Sequence, residues 1–222
     1  MVTDSPSPSD GAPTLRERKK QRTRRALADA ALTLFSERGF DRVTLEELTA
    51  HADIGRSTFF RYYGTKEDVA MAAEGELWEA YTARFAQHTG QGPALDALRT
   101  SLTGAIRSMP ADWDTRFLRT RRLAAGTPVL RDHSIVSSMK AQQRLVELLE
   151  ERLETDSRED VRLRLLGEFT LSAWRCGARN WVAGRVPGNP GKRRGHGGAK
   201  ALAQRVDEAF TAIPDSLALP LS

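Results

Sequence analysis

The chain has 222 residues, 34 of them Lys or Arg and 29 Asp or Glu, for a formal net charge of +5, and 40% of its residues are hydrophobic. Such a composition suits a chain that buries a core and excludes wholesale disorder, and no run reaches the roughly 18 apolar residues of a membrane span. A single cysteine, Cys176, excludes an internal disulfide and a thiolate metal site, and the polar first dozen residues are unlike a secretory signal, so a cytoplasmic protein without membrane partners is expected.

In chain order, residues 1–13 are a Ser/Pro/Asp/Gly tract too poor in apolar residues to offset the entropy of ordering, and read as a disordered tail. A helix is predicted from Leu15 to Arg38, because Leu27, Ala30, Ala31, Leu34 and Phe35 recur at three- and four-residue spacing and Gly39 follows as a stop. Thr44 with Glu47 reads as a capping box that opens a two-turn helix with Leu45, Leu48 and Ala52 on one face. A second short helix spans Arg56 to Tyr62, and Lys66 opens a longer one through Gln87. Further helices are predicted over 93–109, 113–125, 128–155, 160–183 and 199–213. Gly126-Thr127-Pro128 is either a break or a kink, Val186 to Gly198 is a loop, and Pro214 ends the last helix before a tail, 214–222. Strand alternation and internal repeats are not evident, so the fold class is all-α.

The positive charge is concentrated rather than scattered. Thr14 to Lys66 holds 12 basic and 7 acidic residues, while the rest of the chain holds 22 of each sign. Extending the segment by Glu67 and Asp68 lowers its balance to +3 without changing its sign. The density peaks in Arg16, Arg18, Lys19, Lys20, Arg22, Arg24 and Arg25, opposed only by Glu17. This is the footprint of a segment that meets phosphates, although a solvated helix start or flexible tail has the same composition.

Two short helices joined by a tight turn behind a third have the plan of a helix-turn-helix module. The landmarks Ala30-Ala31, Phe35, Gly39-Phe40, Thr44, Ala52, Ile54, Ser57-Thr58-Phe59-Phe60, Tyr62-Tyr63 and Lys66 make residues 14–66 resemble the N-terminal domain of the TetR family of bacterial repressors. The resemblance implies that Thr44, at a helix N-cap, meets a phosphate, and that Gly55, Arg56 and Ser57 open the recognition helix. Arg56 is the residue expected to read sequence, since a guanidinium pairs with both O6 and N7 of guanine. Thr58, Tyr62 and Lys66 fall where the family contacts phosphates, and Arg61 meets a phosphate or solvent. Phe60 departs from the Tyr many members carry and retains only apolar contact. Asp53 replaces a small turn residue, usually Gly. Phe59 and Tyr63 are expected in the core and His51 at a surface helix end. Arg22, Thr23 and Arg24 touch phosphate, enter a minor groove from a flexible arm, or form an ordinary solvated face.

For residues 67–213 the resemblance implies an effector-binding and dimerisation domain. The stripe Leu166, Phe169, Ala173, Gly177 and Trp181 suits a symmetric partner, and internal core is the other reading. Trp113, Phe117, Arg121, Phe169 and Trp174 are candidate ligand contacts, with Trp78, Tyr81 and Trp181 as further large side chains for an apolar cavity. Arg116, Arg119, Arg121 and Arg122 suggest an anionic or acyl effector, although solvated arginines explain them equally. Cys176 is expected to be buried and inert, with a redox role left open. With no phosphate loop, metal spacing or nucleophile motif, neither an enzyme nor a cofactor is expected. The expected function is a ligand-responsive regulator, a repressor that binds a palindromic double-stranded operator as a homodimer; a ligand-independent DNA binder is the alternative.

Overall fold

The computed structural model describes residues 14–186, 189–193 and 197–220. Residues 1–13, expected as a disordered tail, lie outside the described residues, as do parts of the 186–198 loop and residues 221–222. In chain order the elements are α1 (Leu15–Arg38), α2 (Leu45–His51), α3 (Arg56–Tyr62), α4 (Lys66–Ala70), α5 (Ala72–Ala86), α6 (Ala94–Ser108), α7 (Trp113–Gly126), α8 (Pro128–Leu153), α9 (Val161–Val182), β1 (Arg185–Val186), β2 (Asn189–Arg193), α10 (Gly198–Thr211) and α11 (Ile213–Ser216). The fold is all-α, with an N-terminal helix-turn-helix unit and a helical second unit; the chain divides at Ala70/Met71.

In the first unit, α1 starts and stops where local chemistry dictates. The Thr14 hydroxyl accepts from the Glu17 N–H while the Glu17 carboxylate accepts from the Thr14 N–H, and Gly39, at φ 86°, closes the far end with its N–H on the Phe35 carbonyl. Leu27, Ala28, Ala31, Leu32, Leu34 and Phe35 form the buried face of α1. They share a core with Phe40, Val43, Leu48, Phe59, Tyr63 and Val69, and Phe35 meets Phe40 at 5.0 Å between ring centroids.

The second unit is built around Leu77, Trp78, Tyr81 and Phe85 of α5, Leu98 and Leu102 of α6, Trp113 and Phe117 of α7, Leu145 and Leu149 of α8, Trp174 and Trp181 of α9, and Val206 and Phe210 of α10. The Trp113 indole N–H donates to the Ala73 carbonyl at 2.8 Å, tying α7 to the start of α5. Helices α9 and α10 cross so closely that a Cβ on Gly177 would lie 2.7 Å from the Val206 Cα, which only glycine permits.

Several boundaries differ from the sequence reading. The helix predicted from Lys66 to Gln87 is interrupted at Met71 (φ −99°, ψ 14°), a one-residue departure that periodicity does not register. Thr127 is extended, so 126–128 is a break, with Pro128 at the start of α8 where its missing N–H is harmless. Pro214 is the second residue of the short α11 rather than the start of a tail; it cannot donate to Phe210 and thereby ends the α10 ladder. The β1–β2 pair is a small antiparallel ribbon in what was read as loop; β1 has only two residues and β2 carries Pro190 and Gly191, so neither shows an alternating apolar pattern. Cys176 is exposed rather than buried, since the buried face of α9 runs through Ala173, Trp174, Gly177 and Trp181.

Candidate nucleic-acid interface

Helix α3 is amphipathic within two turns. Phe59 is fully buried, and Tyr63 just beyond the helix is 4% exposed, its hydroxyl donating to the Arg24 carbonyl on α1 at 3.0 Å. On the opposite side Arg56, Ser57, Phe60 and Arg61 are exposed, while Thr58 and Tyr62 are half-buried at the flanks. The buried pair fixes the helix against α1, and this orientation presents Arg56, Ser57, Phe60 and Arg61 outward. Phe60, 49% exposed, is a large apolar side chain kept at the surface.

The turn before α3 holds Asp53 at φ 51°, the left-handed region that favours glycine and tolerates Asp. The turn geometry is thus retained with a non-glycine residue. Gly55, the N-cap of α3, has an ordinary φ and open space around its Cβ direction. Its lack of a side chain is therefore not needed by the fold; it leaves the helix entry bare.

Arg56 is not free in solution. Its Nη1 lies 2.8 Å from Oε1 of Glu46 on α2, and its guanidinium sits 6.0 Å from the Phe60 ring centroid. Both partners of the ion pair are exposed, so it contributes only about 0–1 kcal/mol and can be exchanged for a base. Sequence reasoning missed Glu46, since residues ten apart on different helices show no pattern.

Two residues expected at phosphates have structural tasks. The Thr44 hydroxyl accepts from the Glu47 N–H while the Glu47 carboxylate accepts from the Thr44 N–H at 2.8 Å, completing a capping box, and the hydroxyl also donates to that carboxylate. Hydrogen bonds from Thr44 hold the Glu47 carboxyl below its usual range, with Arg38 adding a smaller pull. What Thr44 leaves at the α2 start for a phosphate is the first-turn backbone N–H groups of Leu45 and Glu46, which have no intrahelical acceptor. The Lys66 ammonium donates to the Phe40 and Val43 carbonyls at 3.0 and 2.9 Å and lies 4.1 Å from the Phe40 ring centroid. It clamps the loop after α1, with two of its three donors used.

The basic run Arg16 to Arg25 lies on α1, ahead of its first buried residue, Leu27. The capped start makes it a helical rod, not a flexible arm, and Arg24 is drawn back over the Tyr63 ring at 5.5 Å. Arg16, Arg18, Lys19, Lys20 and Arg22 are exposed along it, and His51 is exposed at the α2 end.

In the second unit, Trp113 and Phe117 stack at 4.9 Å and are buried, and Trp174 meets Phe117 and Trp78 edge-on at 5.9 and 5.3 Å. Phe169 is half-buried. Arg121 pairs with the buried Glu74 at 3.1 Å and donates to the Ser134 hydroxyl, which donates in turn to Glu74. Arg116, 5% exposed, is bidentate to Glu76. Arg116 and Arg121, the inward arginines of α7 among those expected to meet an anionic effector or solvent, are thus matched within the protein. Ala173, Gly177 and Trp181, read as a stripe for a symmetric partner, are buried on the face that crosses α10. Among the described residues, no group of His, Cys, Asp or Glu could hold a metal ion, and no helix is long and apolar enough to cross a membrane.

The family model for "Bacterial regulatory proteins, tetR family" matches residues 27–73, which include α2, the turn and α3. The chain is 28% identical over 186 residues to the HTH-type transcriptional regulator TcmR of Streptomyces glaucescens, covering 81% of this chain and 82% of that protein. It is 29% identical over 94 residues to the HTH-type transcriptional repressor KstR of Rhodococcus jostii (strain RHA1), 42% of this chain and 43% of that one. A putative TetR-family regulator from Syntrophomonas wolfei str. Goettingen shares the fold, with a TM-score of 0.55 at 14% identity over 91% of this chain and 99% of that one. The helix-turn-helix segment thus matches the model of the tetR family, and the proteins that the longer alignments resemble are named as transcriptional regulators.

Proposed function

We propose that the protein is a ligand-responsive repressor that binds a palindromic operator as a homodimer and releases it when a small molecule occupies the second unit. The observation that carries this reading is the α3 surface: Arg56, Ser57, Phe60 and Arg61 face outward while Phe59 and Tyr63 anchor the helix. Arg56 reads a base edge; Ser57, Thr58, Arg61 and Tyr62 set register on the backbone, and Gly55 lets the strand approach. The exposed basic residues of α1 add the sequence-independent attraction to phosphates. Two copies related by a two-fold axis then read two half-sites about one DNA turn apart. For the second copy we assign the apolar side chains left exposed on α8 and α9, Ile135, Val136, Met139, Val161 and Leu165. Release follows from a ligand that binds one conformation more tightly than the other, shifting the population away from the DNA-competent state.

Selection of bound duplexes from a random pool, followed by titration of the selected sequence, tests the reading. The expected outcome is an inverted repeat bound by a dimer, with affinity falling steeply as salt rises. Recovery of no preferred sequence refutes operator recognition. The second reading, a ligand-independent binder, is favoured by the direct contacts among Trp113, Phe117 and Trp174, which are those of a closed core. A compound that raises the melting temperature and weakens operator affinity decides against it.

A further inference from the structure

Four polar atoms in the second unit stand apart from the rest. Among the described residues, the Trp78 indole N–H and the hydroxyls of Tyr81, Ser101 and Thr170 are buried without a hydrogen-bond partner. Each of the four residues is at most 5% exposed. Buried polar groups are nearly always paired in native proteins, because an unmatched one forfeits its hydration with nothing in return. Four in one core call for a specific explanation.

They come from three helices of which α6 packs on the other two. Trp78 and Tyr81, three residues apart, lie on adjacent positions of one face of α5, Ser101 is on α6, and Thr170 is on α9 one turn before Trp174. Helix α6 packs against both α5 and α9, and the Trp78 ring meets Trp174 edge-on at 5.3 Å, with Phe117 against the same indole. The Thr170 hydroxyl is the polar neighbour of the Tyr81 phenol; it opposes the upward push that burial gives the phenol's pKa, yet the pair does not reach hydrogen-bond geometry. The charged groups of the same unit are satisfied in a different way, Glu74 by Arg121 and Ser134, and Glu76 by Arg116.

We propose that Trp78, Tyr81, Ser101 and Thr170 are the recognition groups of the effector site, and that the effector is an uncharged aromatic compound bearing hydroxyl or carbonyl groups. This rests on the ligand-responsive reading above. The chemistry follows from the donor set. An indole N–H only donates, and three hydroxyls donate or accept, so together they match phenol and ketone oxygens. The edges of Trp78, Trp174 and Phe117 suit a flat ring. A carboxylate would enter a site whose arginines are already paired and would lose its hydration without gaining a counter-charge.

Calorimetric titration and thermal melting of the full chain, with four probes, test the proposal: 2,7-dihydroxynaphthalene, naphthalene, 2-naphthoate and decanoate. The diol is expected to bind best, naphthalene more weakly, and neither carboxylate measurably. In Tyr81→Phe and Thr170→Val, diol affinity is expected to fall by about two- to tenfold each. In the same variants the ligand-free melting temperature is expected to rise by about 2–4 °C, because an unpaired hydroxyl is replaced by an apolar group of like shape. These opposite signs are not produced by hydroxyls that serve the fold. Melting temperatures that fall while diol affinity holds would mean the hydroxyls are satisfied by each other or by buried water, and would overturn the proposal. Preference for either carboxylate, or binding of none of the four probes, overturns it as well. Operator affinity, measured alongside on the selected duplex, separates the two readings. Tyr81-dependent diol binding that leaves operator affinity unchanged refutes ligand responsiveness and leaves the site standing. Operator release by a compound indifferent to both substitutions refutes the site and leaves responsiveness standing.

Discussion

In the first unit, two polar groups that leave the surface are matched within the fold: the Tyr63 hydroxyl reaches the Arg24 carbonyl, and the Lys66 ammonium reaches two carbonyls of the loop after α1. In the second unit, the Trp78, Tyr81, Ser101 and Thr170 polar atoms are buried without such partners. On the function proposed above, the contrast tracks where each unit works. A unit that acts on a ligand outside itself can satisfy its interior fully and keep its working groups in water. A unit that acts on a ligand inside itself leaves interior groups unmatched, and its fold is correspondingly less stable than its packing alone would give.

The most severe way to break this comparison is to empty the core under the recognition helix. Phe59→Ala is expected to cost about 3–5 kcal/mol of stability and to abolish operator binding, read by thermal melting and DNA titration. Diol binding by the second unit should survive at temperatures where that unit remains folded. A smaller effect, on recognition alone, is expected from Arg56→Ala: loss of about 1–3 kcal/mol of discrimination at one base-pair position, with melting unchanged. Affinities for single-base operator variants check it, and equal losses at every position would remove Arg56 from base reading. Glu46→Ala, which frees Arg56 without deleting it, should retain that discrimination.

Lys66→Ala separates a clamp from a phosphate contact. Loss of its bonds to Phe40 and Val43 is expected to lower stability by about 1–2 kcal/mol, while the salt dependence of operator binding stays as it was. A slope shallower by about one would instead restore Lys66 to the phosphate backbone. The smallest effect concerns acid. Thr14 holds the Glu17 carboxyl, and Thr44 the Glu47 carboxyl, below the usual range through hydrogen bonds to the ionised form. Groups with depressed folded values contribute stability that is fully present above the ordinary glutamate range and lost as pH falls through the folded values. Helical content of the first unit should therefore decline on acidification below about pH 4, and Glu17→Gln with Glu47→Gln should flatten that decline.

Much of the first unit was legible because its signals are local. Gly39 stops α1, and Thr44 and Glu47 cap α2 within four residues; the Thr14–Glu17 box at the start of α1 is just as local but was not picked out from the sequence. The alternation of buried Phe59 and Tyr63 with outward Arg56 and Phe60 was also readable within α3. What was not legible depended on which surface meets which. Helix periodicity gave α9 an apolar stripe but could not say that Ala173, Gly177 and Trp181 face α10 within the same chain. It placed Cys176 by composition and not by the face it occupies. Arg116 and Arg121 looked like free charges until Glu76 and Glu74, some forty residues away, came to meet them. Ser101 and Thr170 drew no notice, since a small polar residue in a helix is ordinary until both its burial and its missing partner are seen.

The Thr14 capping box has a geometric consequence for reach. From Leu15 to Ala26 the helix advances about 18 Å at 1.5 Å per residue, comparable to the length of about five stacked base pairs at 3.4 Å each. Because the buried turns from Leu27 onward set its axis, this stretch is a lever rather than a tether. Its cations are carried around and along one helix axis and are not spread through a sphere of conformations. A lever of this kind can lengthen the duplex that the protein covers without adding to the sequence it reads.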